Sequence, residues 1–396
     1  MNIFARNESL DRCDILLGFH TRAVEGIDDA EIRNDHICHA AIRMADVGMA
    51  DAAIALLAHL DDPFYDCMGW IEVGQGLARV HHSEAIPILA NAGERLDRTN
   101  TIDSGIRLEF AAELALGNAL IGQPRHAGQR IDEVLACLAD EPSPDQRIDV
   151  AALVMQAAHL TNHAEALMFS LDTALSSIEE DFGTAGAHCI TVLATALRAI
   201  GRQSDASSLV NSVAHRLVSR IGADHSPLIT AMTLMELATA AAEDGDVGNA
   251  CMVAGIALEL RHHPDVWIPS DFDLAGSYLR FTEFFDHCAV AWARKGRGNH
   301  ANAIEAMDYA DHITDKVFLS GDYVNFRDVI RRRLLKFETL LAIGHIGLAK
   351  TQLNHAESAF YGLWEKSCKR GKDIESELYE LPEVAAGWVK LSRACA

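Results

Sequence analysis

Long apolar runs are missing from this sequence, since none approaches the ~20 residues that a helix needs to cross a bilayer. The polar stretch from Met1 to Asp14 also lacks the apolar core of a signal peptide. Aromatic residues make up only 6% of the chain, and small Ala dominates its apolar set, which favours close helix packing over sheets. We therefore expect an all-α protein in the cytoplasm.

Paired cysteines and the common catalytic motifs are missing as well. The nine cysteines are scattered singly with no C-x-x-C pair, which is typical of reduced, mostly buried thiols. The sequence contains no phosphate-binding Gly-rich loop, no Gly-x-Ser-x-Gly, no dinucleotide fingerprint and no His-Glu-x-x-His. These absences predict a protein that is not an enzyme and holds no cofactor.

Lysine does not occur before Lys295, and the charge is uneven along the chain. Residues 1–315 hold 21 basic and 47 acidic side chains, a net charge of −26, whereas residues 316–396 hold 13 and 10, a net charge of +3. Nucleic acid and anionic membranes need clustered cations, so neither is expected as a partner. The run Arg331–Arg333 is interpreted as a solvated helix face.

A Gly followed five residues later by Ala recurs along the chain, as in Gly201 and Ala206. Gly ends a helix because it enters the left-handed conformation without steric cost, and the small Ala lets the next helix pack closely against the first. The pattern predicts eight helical hairpins. The Gly positions are 48, 122, 201, 245, 298 and 344, with Val80 and Thr161 in the other two copies, and the Ala positions are 53, 85, 127, 166, 206, 250, 303 and 349.

Further small residues flank these turns at constant offsets. Twelve residues before the turn Ala lie Ala41, Ala115, Ala194, Ala238 and Ala291, and seven residues after it lie Ala92, Ala257, Ala310 and Ala356. This combination resembles the tetratricopeptide family of α-solenoids over roughly residues 30–360. The turn Ala residues are 32 to 53 residues apart, longer than the family's repeat of about 34. The family's aromatic positions in the first helix are mostly absent.

The resemblance implies an all-α, right-handed α-solenoid of about eight helical hairpins with capping helices at both ends. Pro142 and Pro144 mark the clearest break, and Pro264, Trp267 and Pro269 mark an insertion. The predicted segments are an N-terminal cap (1–29), repeats 1–3 (30–140), repeats 4–6 (141–262), an insertion (263–273), repeats 7–8 (274–365) and a C-terminal cap (366–396).

Nineteen histidines raise the question of a metal site. His159 and His163 are four residues apart, but a predicted turn begins at Thr161, so the two rings need not share a face. His36 and His39 flank Cys38 without carboxylates at ligand spacing. We interpret the histidines as packing or solvated side chains and predict no metal.

In the tetratricopeptide family, the first helix of each hairpin lines a concave groove that binds peptides. Its offsets, counted from each turn Ala, predict these groove residues: Trp70, Met155, His188, Met232, Met235, Phe285, Trp292 and Arg331. Met and Trp suit an adaptable apolar groove. The same residues also fit a buried core, because longer helices bury more of themselves.

The resemblance implies a non-catalytic cytoplasmic scaffold that binds a protein or peptide on its concave face. The acidic charge and apolar groove predict a basic, amphipathic partner segment. Two alternatives stay open: a ligand-sensing arm of a signalling system, and an α-helical-repeat enzyme with its site in the groove or under the insertion. Oligomeric state and pathway do not follow from the sequence.

Overall fold

The computed structural model describes residues 3–141, 143–180, 187–219, 227–243, 245–260, 271–318, 326–370 and 378–395. The secondary structure of these residues is helical: 18 α-helices and one short 3-10 helix, Arg297–Asn299. The all-α expectation is confirmed. Most of the predicted insertion, 263–270, lies outside the described residues.

The first ten helices run from near the N-terminus to residue 199. They are α1 Ile3–Val24, α2 Ala30–Asp46, α3 Ala50–Leu57, α4 Pro63–Arg79, α5 Ala85–Arg98, α6 Ser104–Leu120, α7 Pro124–Leu138, α8 Pro144–Leu160, α9 Ala164–Glu180 and α10 Ala187–Ala199.

Eight more helices follow. They are α11 Gln203–Ser219, α12 Pro227–Glu243, α13 Val247–Leu260, α14 Asp271–Arg294, α15 His300–Phe318, α16 Phe326–Ala342, α17 Ile346–Arg370 and α18 Glu380–Ala394.

The helices pack largely as consecutive antiparallel pairs. Seven such hairpins are α2–α3, α4–α5, α6–α7, α8–α9, α12–α13, α14–α15 and α16–α17. The even-numbered members, which we call first helices, also pack against each other, as α2–α4–α6–α8–α10 and as α12–α14–α16. The odd-numbered second helices touch one another more sparsely, at α7–α9 and α11–α13. The first helices therefore form the closely packed layer.

The predicted turn glycines end first helices in the left-handed conformation. The φ angle is +64° at Gly48, +72° at Gly122, +81° at Gly201, +79° at Gly245 and +86° at Gly344. At Gly201 the backbone N–H donates to the Arg198 carbonyl and the N–H of Arg202 donates to Leu197, which is the Schellman pattern of hydrogen bonds. Five of the six Gly turns are thus confirmed.

The sixth Gly turn differs from the prediction. Gly296, with φ +101°, takes the left-handed conformation, and Gly298 lies inside the 3-10 helix that follows. The two hairpins without Gly use His81 (φ 55°) and Asn162 (φ 57°), one residue after the positions that the pattern singled out. An Asn tolerates this conformation better than most side chains, so a Gly is dispensable there.

The turn alanines pack as the pattern predicts. All eight are at most 1% exposed, and the upstream partners Ala41, Ala115, Ala194, Ala238 and Ala291 are at most 4% exposed. Glycines on first helices also permit close contacts with neighbouring helices. A Cβ on Gly74 would lie 2.6 Å from Leu89 of α5, and one on Gly76 would lie 3.1 Å from Ala45 of α2. Small residues therefore set the spacing between neighbouring helices.

The chain divides into two compact units. The first unit comprises Asn7–Arg202 and Lys372–Lys390, and the second comprises Met1–Arg6, Gln203–Gly371 and Leu391–Ala396. Among the residues that the structure describes, no helix combines the length and apolar character that crossing a membrane requires.

Candidate functional site

A group of three carboxylates lies on the first helices of the first unit. We call Glu72 of α4 and Glu109 and Glu113 of α6 the carboxylate cluster. Gly74 faces Leu89 of α5, so Glu72, about 200° around the same helix, points away from the second helix. The charged groups that act on Glu72 and Glu113 belong to α2, α4 and α6. The cluster is therefore built by first helices alone.

Helical spacing and a fixed contact between helices bring the cluster together. Glu109 and Glu113 are four residues apart and share one face of α6. The Gln75 side-chain amide of α4 donates to the Glu113 carbonyl at 2.9 Å, which ties α4 to α6 beside the cluster. Gly117 permits this approach, because a Cβ there would lie 2.7 Å from Leu89 and 3.3 Å from Gln75.

The surroundings disfavour the charge of two cluster members. Burial raises the pKa of Glu113 from its ordinary 4.5 to about 8, and the carboxylates of Glu72 and Glu109 raise it further, while Arg79 opposes them. Burial likewise raises the pKa of Glu72. The Oε2 atom of Glu113 is buried and has no hydrogen-bond partner within the described residues. Glu113 is consequently protonated at neutral pH.

The two nearest guanidinium groups are engaged elsewhere. Arg43 pairs with Asp46 at 3.2 Å and with Glu383 of α18 at 2.6 Å. Arg79 lies 3.9 Å from Asp46 and donates to the Gln75 side chain at 2.9 Å. In the described part of the chain, neither Glu72 nor Glu113 forms an ion pair. Glu72 and Glu113 are therefore two members of the cluster whose carboxyl groups have no cation in direct contact within these residues.

Beside this cluster, aromatic rings from both ends of the chain meet. Tyr379 lies 3.9 Å from the His36 ring and 5.5 Å from the His39 ring, measured between centroids, and its hydroxyl donates to the Asp35 carboxylate. His20 of α1 approaches His36 at 6.1 Å. Burial lowers the pKa of His20 to about 3 and that of His39 to about 4, so both rings are neutral at pH 7.

No group of three or more His, Cys, Asp or Glu side chains in the described ranges could hold a metal ion. His159 lies in α8 and His163 follows its end, with the left-handed Asn162 between them. His36 and His39 lie on one helix, both rings contact Tyr379, and His36 also contacts the His20 ring.

The second unit has a smaller charged group on its own first helices. The Nδ1 atom of His287 in α14 lies 3.4 Å from Glu243 of α12, and Arg294 pairs with Glu338 of α16 at 2.6 Å. Burial, aided by the charges of Arg294 and Arg331, lowers the pKa of His287 to about 4, while Glu338 opposes them. Arg331 is exposed and is the predicted groove residue that joins this charged group.

The other predicted groove residues are not brought together. Met155 is 0% exposed and Met235 is 3% exposed, so both are core side chains. The side chains of His188 and Met232 lie outside the described residues. The structure therefore assigns Met155 and Met235 to the core and leaves His188 and Met232 as predictions.

Three aromatic members of the predicted groove have neighbours that orient them. The Arg95 guanidinium of α5 lies 4.6 Å above the Trp70 ring, and Tyr309 of α15 lies 4.5 Å from the Phe285 ring. Trp70 and Phe285 therefore face second helices. Trp292 is half-buried beneath Lys295, whose ammonium lies 5.2 Å from the ring.

A cleft elsewhere in the first unit offers a different kind of surface. It has a volume of about 720 Å³ and is lined by Leu96, Val134 and Glu133, among others. Its guanidinium groups are already occupied: Arg107 donates to two backbone carbonyls, and Arg130 pairs with Asp97 at 2.9 Å. The cleft lies between α5, α6 and α7, away from the carboxylate cluster.

Sequence reasoning missed the carboxylate cluster. The one pattern that indicates it is the pair Glu109 and Glu113, because like charges four residues apart destabilise a helix and need a compensating reason. The third member, Glu72, lies on another helix. No local pattern connects it to the pair.

Comparisons with known proteins assign no family to this chain. No protein-family model and no curated protein matches the chain. A similar solved structure is the crystal structure of Ton1535 from Thermococcus onnurineus NA1, with 14% sequence identity and a TM-score of 0.31. The match covers 89% of this chain and 98% of that chain. A similarity at this TM-score supports no statement about family, ligand or activity.

Proposed function

We propose that this chain is a non-catalytic binding module whose first helices hold a basic, amphipathic segment of a partner protein. The repeat would be tetratricopeptide-like and the stack a right-handed solenoid. Consecutive hairpins with buried small residues at the turn support this assignment. The close packing of first helices and the sparser contacts of second helices suit a stack that curves toward the first helices.

The observation that carries the proposal is the pair of carboxyl groups of Glu72 and Glu113, which form no ion pair among the described residues. The Oε2 atom of Glu113 is buried and has no hydrogen-bond partner in the described structure, and Glu72 is half-buried. A Lys or Arg side chain from a partner would neutralise both carboxylates and donate charge-assisted hydrogen bonds, each worth about 1.5–3 kcal/mol. Such a contact would also lower the pKa of Glu113, so binding would release a proton.

The proposal is tested with a fluorescein-labelled helical peptide of Lys and Leu, about 18 residues or five turns long. Its affinity is measured by anisotropy for the parent, for the double variant Glu72→Gln/Glu113→Gln, and for Glu305→Gln as a control on an exposed face. We expect the double variant to bind at least about tenfold more weakly, because two ionic contacts are lost. The control should bind as the parent does.

Two further readouts sharpen this test. Parent affinity should rise between pH 6 and pH 9, since Glu113 must ionise to pair, and should fall as salt rises from about 50 to 300 mM. Equal affinities of the parent and the double variant, at every pH, would remove the carboxylate cluster from the binding site.

A second candidate, an enzyme, is favoured by the same two perturbed acids. A carboxyl group that stays protonated at pH 7, as Glu113 does, has the pKa of a general acid. Prolonged incubation of the peptide with the protein, followed by mass spectrometry, separates the two candidates. If the peptide keeps its mass, the result agrees with the binding module. If the parent protein cleaves or modifies the peptide and the Glu113→Gln variant leaves it intact, the protein is an enzyme.

A further inference from the structure

Two cysteine thiols are in contact where consecutive hairpins of the second unit adjoin. Cys251 lies on α13, the second helix of the α12–α13 hairpin, and Cys288 lies on α14, the first helix of the α14–α15 hairpin. The thiol of Cys288 donates a hydrogen bond to the sulfur of Cys251. Cys251 is exposed, whereas Cys288 is 2% exposed. The Cys251 sulfur is thus on an exposed residue, and the Cys288 sulfur is on a buried one.

From this arrangement we propose that Cys251 and Cys288 are a peroxide-sensitive thiol pair that closes into a disulfide between α13 and α14. The resting protein carries both thiols reduced. On oxidation, the bond would join the α12–α13 hairpin covalently to the α14–α15 hairpin. This inference is independent of what the first helices bind.

The chemistry proceeds in two balanced steps. The Cys251 thiolate attacks one oxygen of hydrogen peroxide, the O–O bond breaks, and the departing hydroxide takes up a proton, leaving Cys251 as a sulfenic acid and releasing water. The Cys288 sulfur then attacks the Cys251 sulfur. Its thiol proton leaves with the sulfenic hydroxyl as a second water, and the S–S bond forms. The two thiols are oxidised by two electrons, which reduce the peroxide.

Hydrogen bonding and burial distinguish the attacking thiol from the resolving thiol. The hydrogen bond from Cys288 lowers the pKa of Cys251 from 9.0 to about 7, so about half of it is thiolate at pH 7. The hydrogen bond to Cys251 and burial both raise the pKa of Cys288. Cys251 is therefore the attacking thiol and Cys288 the resolving one. Burial and nearby carboxylates raise the pKa of the Cys13 and Cys38 thiols, so neither resembles Cys251.

Reactivity follows from these properties. At pH 7, a thiol of pKa 7 has about 50 times more thiolate than a thiol of pKa 9, but its lower basicity makes each thiolate about six- to tenfold less nucleophilic. The net expectation is that Cys251 reacts with peroxide about five- to eightfold faster than an ordinary exposed thiol. Cys137 of α7, which is also exposed, serves as that reference.

The experiment treats the full chain with hydrogen peroxide at pH 7 and maps the cysteines by mass spectrometry without reduction. We expect loss of about 2 Da, seven of the nine thiols still free, and a peptide that links Cys251 to Cys288. The melting temperature should rise on oxidation and return with dithiothreitol, since a cross-link constrains the unfolded chain.

Two variants make the outcome decisive. Cys288→Ser should leave Cys251 as a sulfenic acid that dimedone traps, and it should abolish the linked peptide. Cys137→Ser should behave as the parent does. If Cys137 is oxidised as fast as Cys251, or if folded parent protein yields no Cys251–Cys288 link while Cys251 accumulates as a sulfenic or sulfinic acid, the proposal is overturned.

Discussion

Replacing Glu113 with Gln should stabilise the first unit at neutral pH. The substitution keeps the shape of the side chain and removes a carboxyl group that the fold holds protonated. Glu113 has a pKa of about 8 when folded, against an ordinary value of 4.5. A group whose pKa is raised by folding binds a proton more tightly in the folded state. For an acid, this means that stability is highest below pH 4.5 and is lost as the pH rises toward 8.

The magnitude follows from these two values. At pH 7 the unfolded carboxyl group is ionised, about 2.5 pH units above its pKa, while the folded one stays protonated. At 1.36 kcal/mol per pH unit, ionisation in the unfolded state costs the parent about 3 kcal/mol of stability. At pH 5 the cost is below about 1 kcal/mol, because about a quarter of the unfolded groups are then still protonated. Gln carries none of this cost at either pH.

Thermal unfolding followed by circular dichroism measures the difference. For a cooperative unit of about 200 residues, 1 kcal/mol corresponds to about 2–4 °C, so Glu113→Gln should melt about 6–10 °C above the parent at pH 7. The gap should shrink to about 2–3 °C at pH 5. Glu305→Gln, on an exposed face of α15, should melt as the parent does at both values. A constant gap between pH 5 and pH 7 would show that folding does not raise the pKa of Glu113.

Two further predictions concern helix packing at Ala206 and the acid sensitivity that His20 contributes. Ala206→Leu should destabilise by ~1–3 kcal/mol, because Ala206 is 0% exposed at a turn that leaves no room for a larger side chain; unchanged chemical denaturation would contradict the hairpin packing. His20→Leu should flatten the acid limb of the stability curve. Burial lowers the pKa of His20 from 6.5 to about 3, so its neutral form contributes stability above pH 6.5 that is lost as the pH falls toward 3. An acid titration of the far-UV signal with the same midpoint for parent and variant would exclude this role.

The hairpins were predictable because the rules behind them are local. A left-handed Gly201 and a fully buried Ala206 lie within six residues, and each follows from steric properties of its own side chain. The error at Gly298 has the same origin. Two glycines lie near the end of α14, and the short 3-10 helix after Gly296 places the second of them beyond the cap.

The orientation of the first helices was not predictable in the same way. A family offset assigns Trp70 to a groove, yet Arg95 of α5 covers its ring, and Glu72 faces the neighbouring first helices instead. Two positions along a helix correspond to about 200° around it. An offset borrowed from a family with shorter repeats therefore does not fix which side of the helix a residue occupies.

The amino-acid sequence alone determined the helical class, the number of turns and the small residues that let helices approach, because each depends on near neighbours in the chain. Only the tertiary structure decided which charges meet. The Tyr379 hydroxyl binds Asp35 across 344 positions, and the Glu72 carboxyl on α4 raises the pKa of Glu113 on α6. Burial and mutual repulsion depend on distances between helices, and these distances arise only when the hairpins pack.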